Sequence, residues 1–175
     1  MAELLYINSS GTDGYGIQEG MVGQMVTPDA DWEVTSIWYD QIYTTGGSSE
    51  TAEIYADTAG SPSGTALATS DLVAIAASVG GPETFAFDPG YVLLSGVSYW
   101  FIVSRMYILR TTTNPYAGGG IGYTTHSSDP TDNWTNNATF DTRQFKVNGE
   151  LYVAPSLTSG RRGFTSRSAW RHKNR

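Results

Sequence analysis

Apolar and polar positions alternate along most of the chain with a period of two, the spacing of strands that bury one face of a sheet. From Val97 the odd positions are Val97, Tyr99, Phe101 and Val103, separated by Ser98, Trp100, Ile102 and Ser104. The run from Phe145 puts Phe145, Val147, Leu151 and Val153 on one face and Lys146, Asn148, Glu150 and Tyr152 on the other. Phe85 and Phe87 alternate with Thr84, Ala86 and Asp88, and Ala52, Ile54 and Ala56 alternate with Glu53, Tyr55 and Asp57. Residues 34–43 carry apolar side chains on both faces, which predicts a central strand covered twice or one whose aromatics meet a partner.

Turn residues separate these runs. Gly46-Gly47, Gly60-Ser61-Pro62-Ser63-Gly64, Gly80-Gly81-Pro82, Asp88-Pro89-Gly90 and Ser127-Ser128-Asp129-Pro130 each read as a turn. The Ala/Ile/Val stretch between Asp71 and Val79 is too short to sustain a helix and reads as strand or loop. Many short strands with regular turns predict an all-β protein, a β-sandwich or jelly roll of two antiparallel sheets. The alternation stops after Val153, and Ala154-Pro155 breaks the strand. The expected organisation is therefore an N-terminal strand or arm over 1–19, a sandwich over 20–154, and an extended basic tail over 155–175.

Composition narrows the chemistry. The 175 residues include 20 glycines, 13% aromatics and only 15% charged residues, so the sheet surfaces are built from Thr, Ser, Asn and Tyr. With no cysteine, disulfides, thiol nucleophiles and cysteine metal centres are excluded. No apolar run approaches the roughly 20 residues that cross a bilayer as a helix, so no membrane insertion is expected. Met1 to Tyr6 has neither the basic nor the long apolar region of a secretory signal, so a route other than a cleaved signal, of which cell lysis after assembly is one, is expected if the protein acts outside a cell.

Charge is divided along the chain. Residues 1–160 hold all 17 acids and only Arg105, Arg110, Arg143 and Lys146, a net of −13. Residues 161–175 hold Arg161, Arg162, Arg167, Arg171, Lys173 and Arg175 and no acid, a net of +6. Phe164 and Trp170 stand among these bases. A purely electrostatic arm has no need of them, whereas an arm that docks in apolar pockets does. Docking on an acidic protein surface, such as the body of a second copy, is expected ahead of contact with nucleic acid.

An ordered set of motifs resembles a jelly-roll module found in phage structural proteins and bacterial surface proteins. Gly23-Gln24-Met25-Val26 followed by Trp32-Glu33-Val34-Thr35-Ser36-Ile37 is similar to that family's opening strands. Ala52-Glu53-Ile54-Tyr55-Ala56-Asp57, Gly60-Ser61-Pro62-Ser63-Gly64 and Leu67-Ala68-Thr69-Ser70 are similar to its middle section. Phe85-Ala86-Phe87, Leu94-Ser95-Gly96-Val97-Ser98-Tyr99-Trp100, Gly122-Tyr123, Trp134 and Phe145-Lys146-Val147-Asn148-Gly149 resemble its closing strands. The resemblance covers about residues 20–150; Met25 stands where Phe is commoner, and the 106–117 excursion is longer than usual. It implies a non-catalytic virion protein, a capsid decoration, stabilising or tail-associated component, that assembles with other virion proteins and with itself. The alternative it implies is a carbohydrate-binding or host-receptor-binding module of a fibre or adhesin.

Candidate chemistry is sparse. His126 and His172 are the only histidines, and His126 with Asp129 or Asp132 lacks any serine in a nucleophile-elbow context, so no catalytic residue and no cofactor is assigned. Asp129, Asp132 and Asp141, with Asn133, could offer oxygens to calcium, but their spacing is not that of an EF-hand and turn chemistry accounts for them. The glycine-rich 116–123 segment lacks the Lys-Ser/Thr of a phosphate loop. Asn133-Trp134-Thr135 and Asn137-Ala138-Thr139 match glycosylation acceptors that matter only on a eukaryotic secretory route. Trp134, flanked by Asn136 and Asn137, is the candidate glycan or interface surface, with Tyr116 and Tyr123. Trp100 and Trp38 are expected in the core or between sheets.

Overall fold

The computed structural model describes residues 2–8, 20–43, 46–77, 81–104, 107–108, 116, 119–124, 129–137 and 144–154. The chain is all-β over these residues, with the architecture of a β-sandwich. Its first strands are β1 (Ala2–Asn8), β2 (Met21–Val26), β3 (Trp32–Tyr43), β4 (Ser48–Glu50), β5 (Ala52–Thr58) and β6 (Ser61–Thr69). Then come β7 (Val73–Ile75), β8 (Gly81–Leu93), β9 (Tyr99–Ser104), β10 (Tyr107–Ile108), β11 (Gly120–Tyr123), β12 (Thr135–Asn137) and β13 (Gln144–Leu151).

Two large antiparallel sheets face each other. The five-stranded sheet runs β1-β13-β3, with β8 and β10 both paired to β3; the six-stranded sheet runs β12-β11-β2-β9-β5-β6. A two-stranded sheet of β4 and β7 is a third, which the expectation of two sheets missed. It forms because the Ala/Ile/Val stretch supplies Val73–Ile75 as a strand against Ser48–Glu50, and Ile75 anchors it in the core. β1 pairs with β13 along nearly its whole length, so the sandwich includes Ala2–Asn8.

The inter-sheet core follows the pleat. Val34, Ile37 and Tyr39 of β3, Phe85 and Phe87 of β8, and Phe145 and Val147 of β13 meet Ile54, Phe101, Val103 and Ile121 from the other sheet. Tyr39 stacks at an angle on Phe145, with ring centroids 4.9 Å apart, and Phe101 lies 5.9 Å from Phe145. Burial alone raises the Tyr39 phenol above its ordinary value.

Some predicted turns are elsewhere. β5 and β6 are joined by Ala59 and Gly60, both with positive φ (54° and 83°), the two-residue hairpin geometry whose twist matches its strands. Gly64 (φ 74°) belongs to a bulge inside β6, where the register jumps from Ala56↔Ser63 to Ile54↔Ala68. Asp88-Pro89-Gly90 likewise forms a bulge within β8 rather than a turn, between the pairs Ser36↔Ala86 and Val34↔Tyr91. Pro89 has no N–H to give the ladder, so the strand bows out there and rejoins. Gly90 is required at the rejoining point, since a Cβ would sit 2.9 Å from the Val34 carbonyl oxygen.

Two expectations about side chains need correction. Leu151 and Val153 do not share the buried fate of Phe145 and Val147: they are 61% and 84% exposed, Leu151 as the last residue of β13 and Val153 beyond its end. Trp38 is not between the sheets. Its neighbours Ile37 and Tyr39 are, so the pleat turns Trp38 to the outer face of the five-stranded sheet, where the Lys146 ammonium lies 5.2 Å from its ring centroid.

Candidate functional site: the outer face of the six-stranded sheet

Most sandwiches leave the outer sheet faces wet, but here β9 is buried on both sides from Tyr99 to Val103. Its odd residues serve the inter-sheet core. Trp100 and Ile102 point the other way and form a second apolar cluster with Met21 and Tyr55, flanked by Met25, Ala66 and Trp134. Trp100 is fully buried, as expected of a core residue, but on this outer face rather than between the sheets.

The segment over 129–137 closes the cluster. β12 pairs with β11 at the sheet edge, and Trp134 folds back over the face to meet Trp100 edge-on, at 5.1 Å between centroids and 76° between planes. Gly122 makes this possible: a Cβ there would run into the Trp134 indole. On the far side the Asn136 amide lies against Gly60, whose Cβ would fall 2.8 Å from Nδ2. The covering segment thus reaches from the β11 edge to the β5–β6 turn.

Carboxylates rim the cluster. Trp100 Nε1 donates to Asp57 Oδ1 at 2.7 Å, and the second Asp57 oxygen accepts from the Gly60 N–H at 3.3 Å. Tyr55 donates to Glu53 Oε2 at 3.0 Å, and Ser104 donates to Glu50 Oε2 at 2.6 Å. The Tyr55 phenol is raised above its ordinary value, first by burial, then by its bond to Glu53 and by the negative charges of Glu53 and Asp129. It therefore stays protonated as a donor. Chemically the arrangement is an aromatic plug whose polar edges are tied to acids, and Trp134 Nε1 is sealed in it without an acceptor.

The residues singled out from the sequence separate into three places. Trp134 and Asn136 meet on this face, and Asn137 pairs through its backbone with Ile121. Tyr123 pairs with Thr135 but packs toward the inter-sheet core. Tyr116 lies elsewhere: its hydroxyl donates to the Thr27 carbonyl at 2.8 Å and accepts from the Thr27 N–H at 3.1 Å. Asp129 caps a turn by accepting from the Thr131 N–H (2.9 Å) and Oγ1 (2.7 Å), which holds its carboxyl below the ordinary range, the hydroxyl bond contributing most. Asp132 accepts from Asn133 Nδ2 at 2.8 Å. No group of three or more metal-ligating acidic, His or Cys residues occurs among the described residues. Asp141, His126 and the whole basic tail, Arg161, Arg162, Phe164, Arg167, Trp170, Arg171, Lys173 and Arg175, lie outside the described residues.

Sequence reasoning missed Glu53 and Asp57 as the hydrogen-bond partners of Tyr55 and Trp100. The signal was present in the even positions of β9: Trp100 and Ile102 are too apolar for a wet face, and strands pairing beside them must supply cover. No family model matches the chain, and no curated protein or solved structure is significantly similar to it.

Proposed function

We propose that the body is a jelly roll and that the chain is a non-enzymatic structural component of a phage particle, a capsid decoration, stabilising or tail-associated protein, made in the host cytoplasm. The strand pairing supports the fold reading. Of the eight principal strands, the first pairs with the last (β1·β13), the second with the seventh (β2·β9), the third with the sixth (β3·β8) and the fourth with the fifth (β5·β6). This nesting is what results when one long antiparallel hairpin is rolled into two sheets.

The observation that carries the assembly reading is the separation of charge. Among the described residues Lys146 is the one base, against 14 acids (the 17 of the chain less Asp13, Glu19 and Asp141). Over residues 1–160 as a whole only four bases stand against 17 acids, and the six bases of residues 161–175 are the complementary charge. Repeated by symmetry, an arm that adds on the order of 1–3 kcal/mol per docked aromatic stabilises a lattice through many equivalent contacts. The carbohydrate-binding alternative has less support, since Trp134 spends its ring on Trp100 and Trp38 carries Lys146 over its face.

Particle association tests the reading. Full-length chain and a variant ending at residue 154 are compared for co-sedimentation with intact particles and for particle survival on heating. The full-length chain is expected to bind and protect, and the shortened one to do neither. Equal behaviour of the two would remove the arm from the proposal, and absence of both from particles would remove the virion role.

A further inference from the structure

Six large hydrophobic side chains are exposed among the described residues, and four of them stand at one end of the sandwich: Leu94 (51%), Val97 (41%), Leu151 (61%) and Val153 (84%). Scattered apolar residues are ordinary on a surface, but a contiguous set is not. Their contiguity is built in. Trp32 pairs with Leu93 on one side and Leu151 on the other. Asp31, beside it, accepts from the Ser95 N–H through Oδ1 at 2.8 Å and from the Tyr152 N–H through its carbonyl at 2.9 Å. The β8–β9 turn and the end of β13 are therefore pinned to one residue, which brings Leu94 and Val97 to the same end of the fold as Leu151 and Val153. At its base Trp32 Nε1 is buried with no hydrogen-bond partner.

The rim of this end is acidic. Asp29, Asp31, Glu33 and Glu150 all lie there, and Glu33 and Glu150 are direct cross-strand partners, both exposed on one face. Like charges placed opposite each other disfavour a sheet, so a cation lying over this pair would be stabilising. An apolar surface with an acidic rim calls for a ligand with aromatic groups between bases.

We infer that this end of the sandwich is the receptor for residues 161–175 of a second copy of the chain, with Phe164 and Trp170 on the apolar surface and the arginines over Glu33 and Glu150. The inference rests on the assembly reading above and names its contact surface. The 21 residues beyond Ala154 leave from this same end, and the ten from Ala154 to Phe164 reach up to roughly 35 Å when extended, enough to cross to a neighbour. A second copy is favoured over the chain's own tail because Leu151 and Val153 are at the exit itself. A returning tail would have to reverse and lie over its own stem.

Photo-crosslinking of the full-length chain tests this. A photoreactive phenylalanine analogue replaces Trp170, and equal amounts of isotope-labelled and unlabelled protein are mixed before irradiation. Labelled-to-unlabelled crosslinks mapping to residues 29–33, 94–97 or 150–153 are expected. Crosslinks confined to one copy, or mapping elsewhere, would overturn the inference. In parallel, sedimentation of full-length Leu151→Ser/Val153→Ser and of Glu33→Lys/Glu150→Lys should show self-association weakened by at least about tenfold, whereas Leu67→Ser/Leu72→Ser, the two exposed leucines outside the set, should leave it unchanged. Equal effects from both leucine-set changes would also sink it. Crosslinks at the expected surface without any particle association would remove the virion role and leave this contact standing.

Discussion

The two faces of the six-stranded sheet bury similar aromatics under different terms. Toward the five-stranded sheet, Phe101 and Val103 meet a surface of Phe and Ile whose polar content is little more than the Tyr39 hydroxyl, 3.4 Å from the Phe101 carbonyl oxygen. Toward the outside, Trp100 is covered by a short edge segment, and its indole and the neighbouring Tyr55 each bond a carboxylate. The inner core is covered by many strands, so no single side chain decides whether it is sealed. The outer cluster hangs on one side chain, Trp134, and on the absence of another at Gly122. What differs is redundancy of cover, and that sets the size of each expected effect.

The largest effect belongs to the inner face. Phe101→Ala removes a fully buried ring that packs on Phe145, and denaturant unfolding should show a loss of about 3–5 kcal/mol. Trp134→Ala, on a half-buried residue, should cost about 2 kcal/mol and leave the body folded. It should also shift Trp100 fluorescence to the red as water reaches the indole. If Trp134→Ala cost as much as Phe101→Ala, the outer cluster would be part of one cooperative core and the contrast would collapse.

Gly122→Ala sharpens the comparison. Its Cβ can be accommodated only if the Trp134 indole lifts, so alone it should cost about 1–2 kcal/mol. In a Trp134→Ala background the obstruction is gone and the same change should cost close to nothing. Such non-additivity is the signature of two residues sharing one contact. Additive losses would place the strain of Gly122→Ala in the β11 backbone instead.

How much of this was readable in advance follows from how local each feature is. The pleat forces alternation, so Tyr99, Phe101 and Val103, or Phe145 and Val147, declare themselves as a buried face without any knowledge of their partners. Alternation says which residues share a face but not where along the chain that face stops being covered, and Leu151 and Val153, at and beyond the end of β13, were misplaced for that reason. In β3 both faces are apolar, so Trp38 gave no sign of which side was inside. The position of Trp134 depends on an edge segment lying across neighbouring strands, a contact no local pattern encodes. The basic tail was fully legible as composition, while the surface proposed to receive it emerges only once Trp32, Leu94 and Leu151 are brought to one end of the fold.

Alkaline titration separates the two faces by cause. Tyr39 and Tyr55 are both raised above the ordinary tyrosine value, Tyr39 by burial and Tyr55 by burial with help from Glu53 and Asp129. A raised folded pKa means that the stabilisation is complete below the unfolded value, near 10, and falls as the pH climbs beyond it, where unfolded phenols ionise and these two do not. Glu53→Gln should lower the Tyr55 transition, read by phenolate absorbance, and leave Tyr39 in place. A joint shift of both would mean that the faces are electrostatically coupled through the sheet.

The smallest effect is at Asp129, on the turn that leads into the covering segment. Its carboxyl is held below the ordinary range by Thr131, so the sign is opposite to that of the tyrosines. The stabilisation is present above the usual carboxylate pKa and is lost as the pH falls through the lower, folded value. Because Asp129 is exposed to solvent, global unfolding should barely register its protonation or the change Asp129→Asn. The Thr131 amide should register it, exchanging faster once the charged acceptor is gone. Trp100 fluorescence should stay constant throughout, since Trp134 is held by its packing on Trp100 and Gly122 rather than by the turn. A red shift accompanying Asp129→Asn would show that the turn holds the plug in place, and would make the outer cluster depend on a surface charge as well as on a single ring.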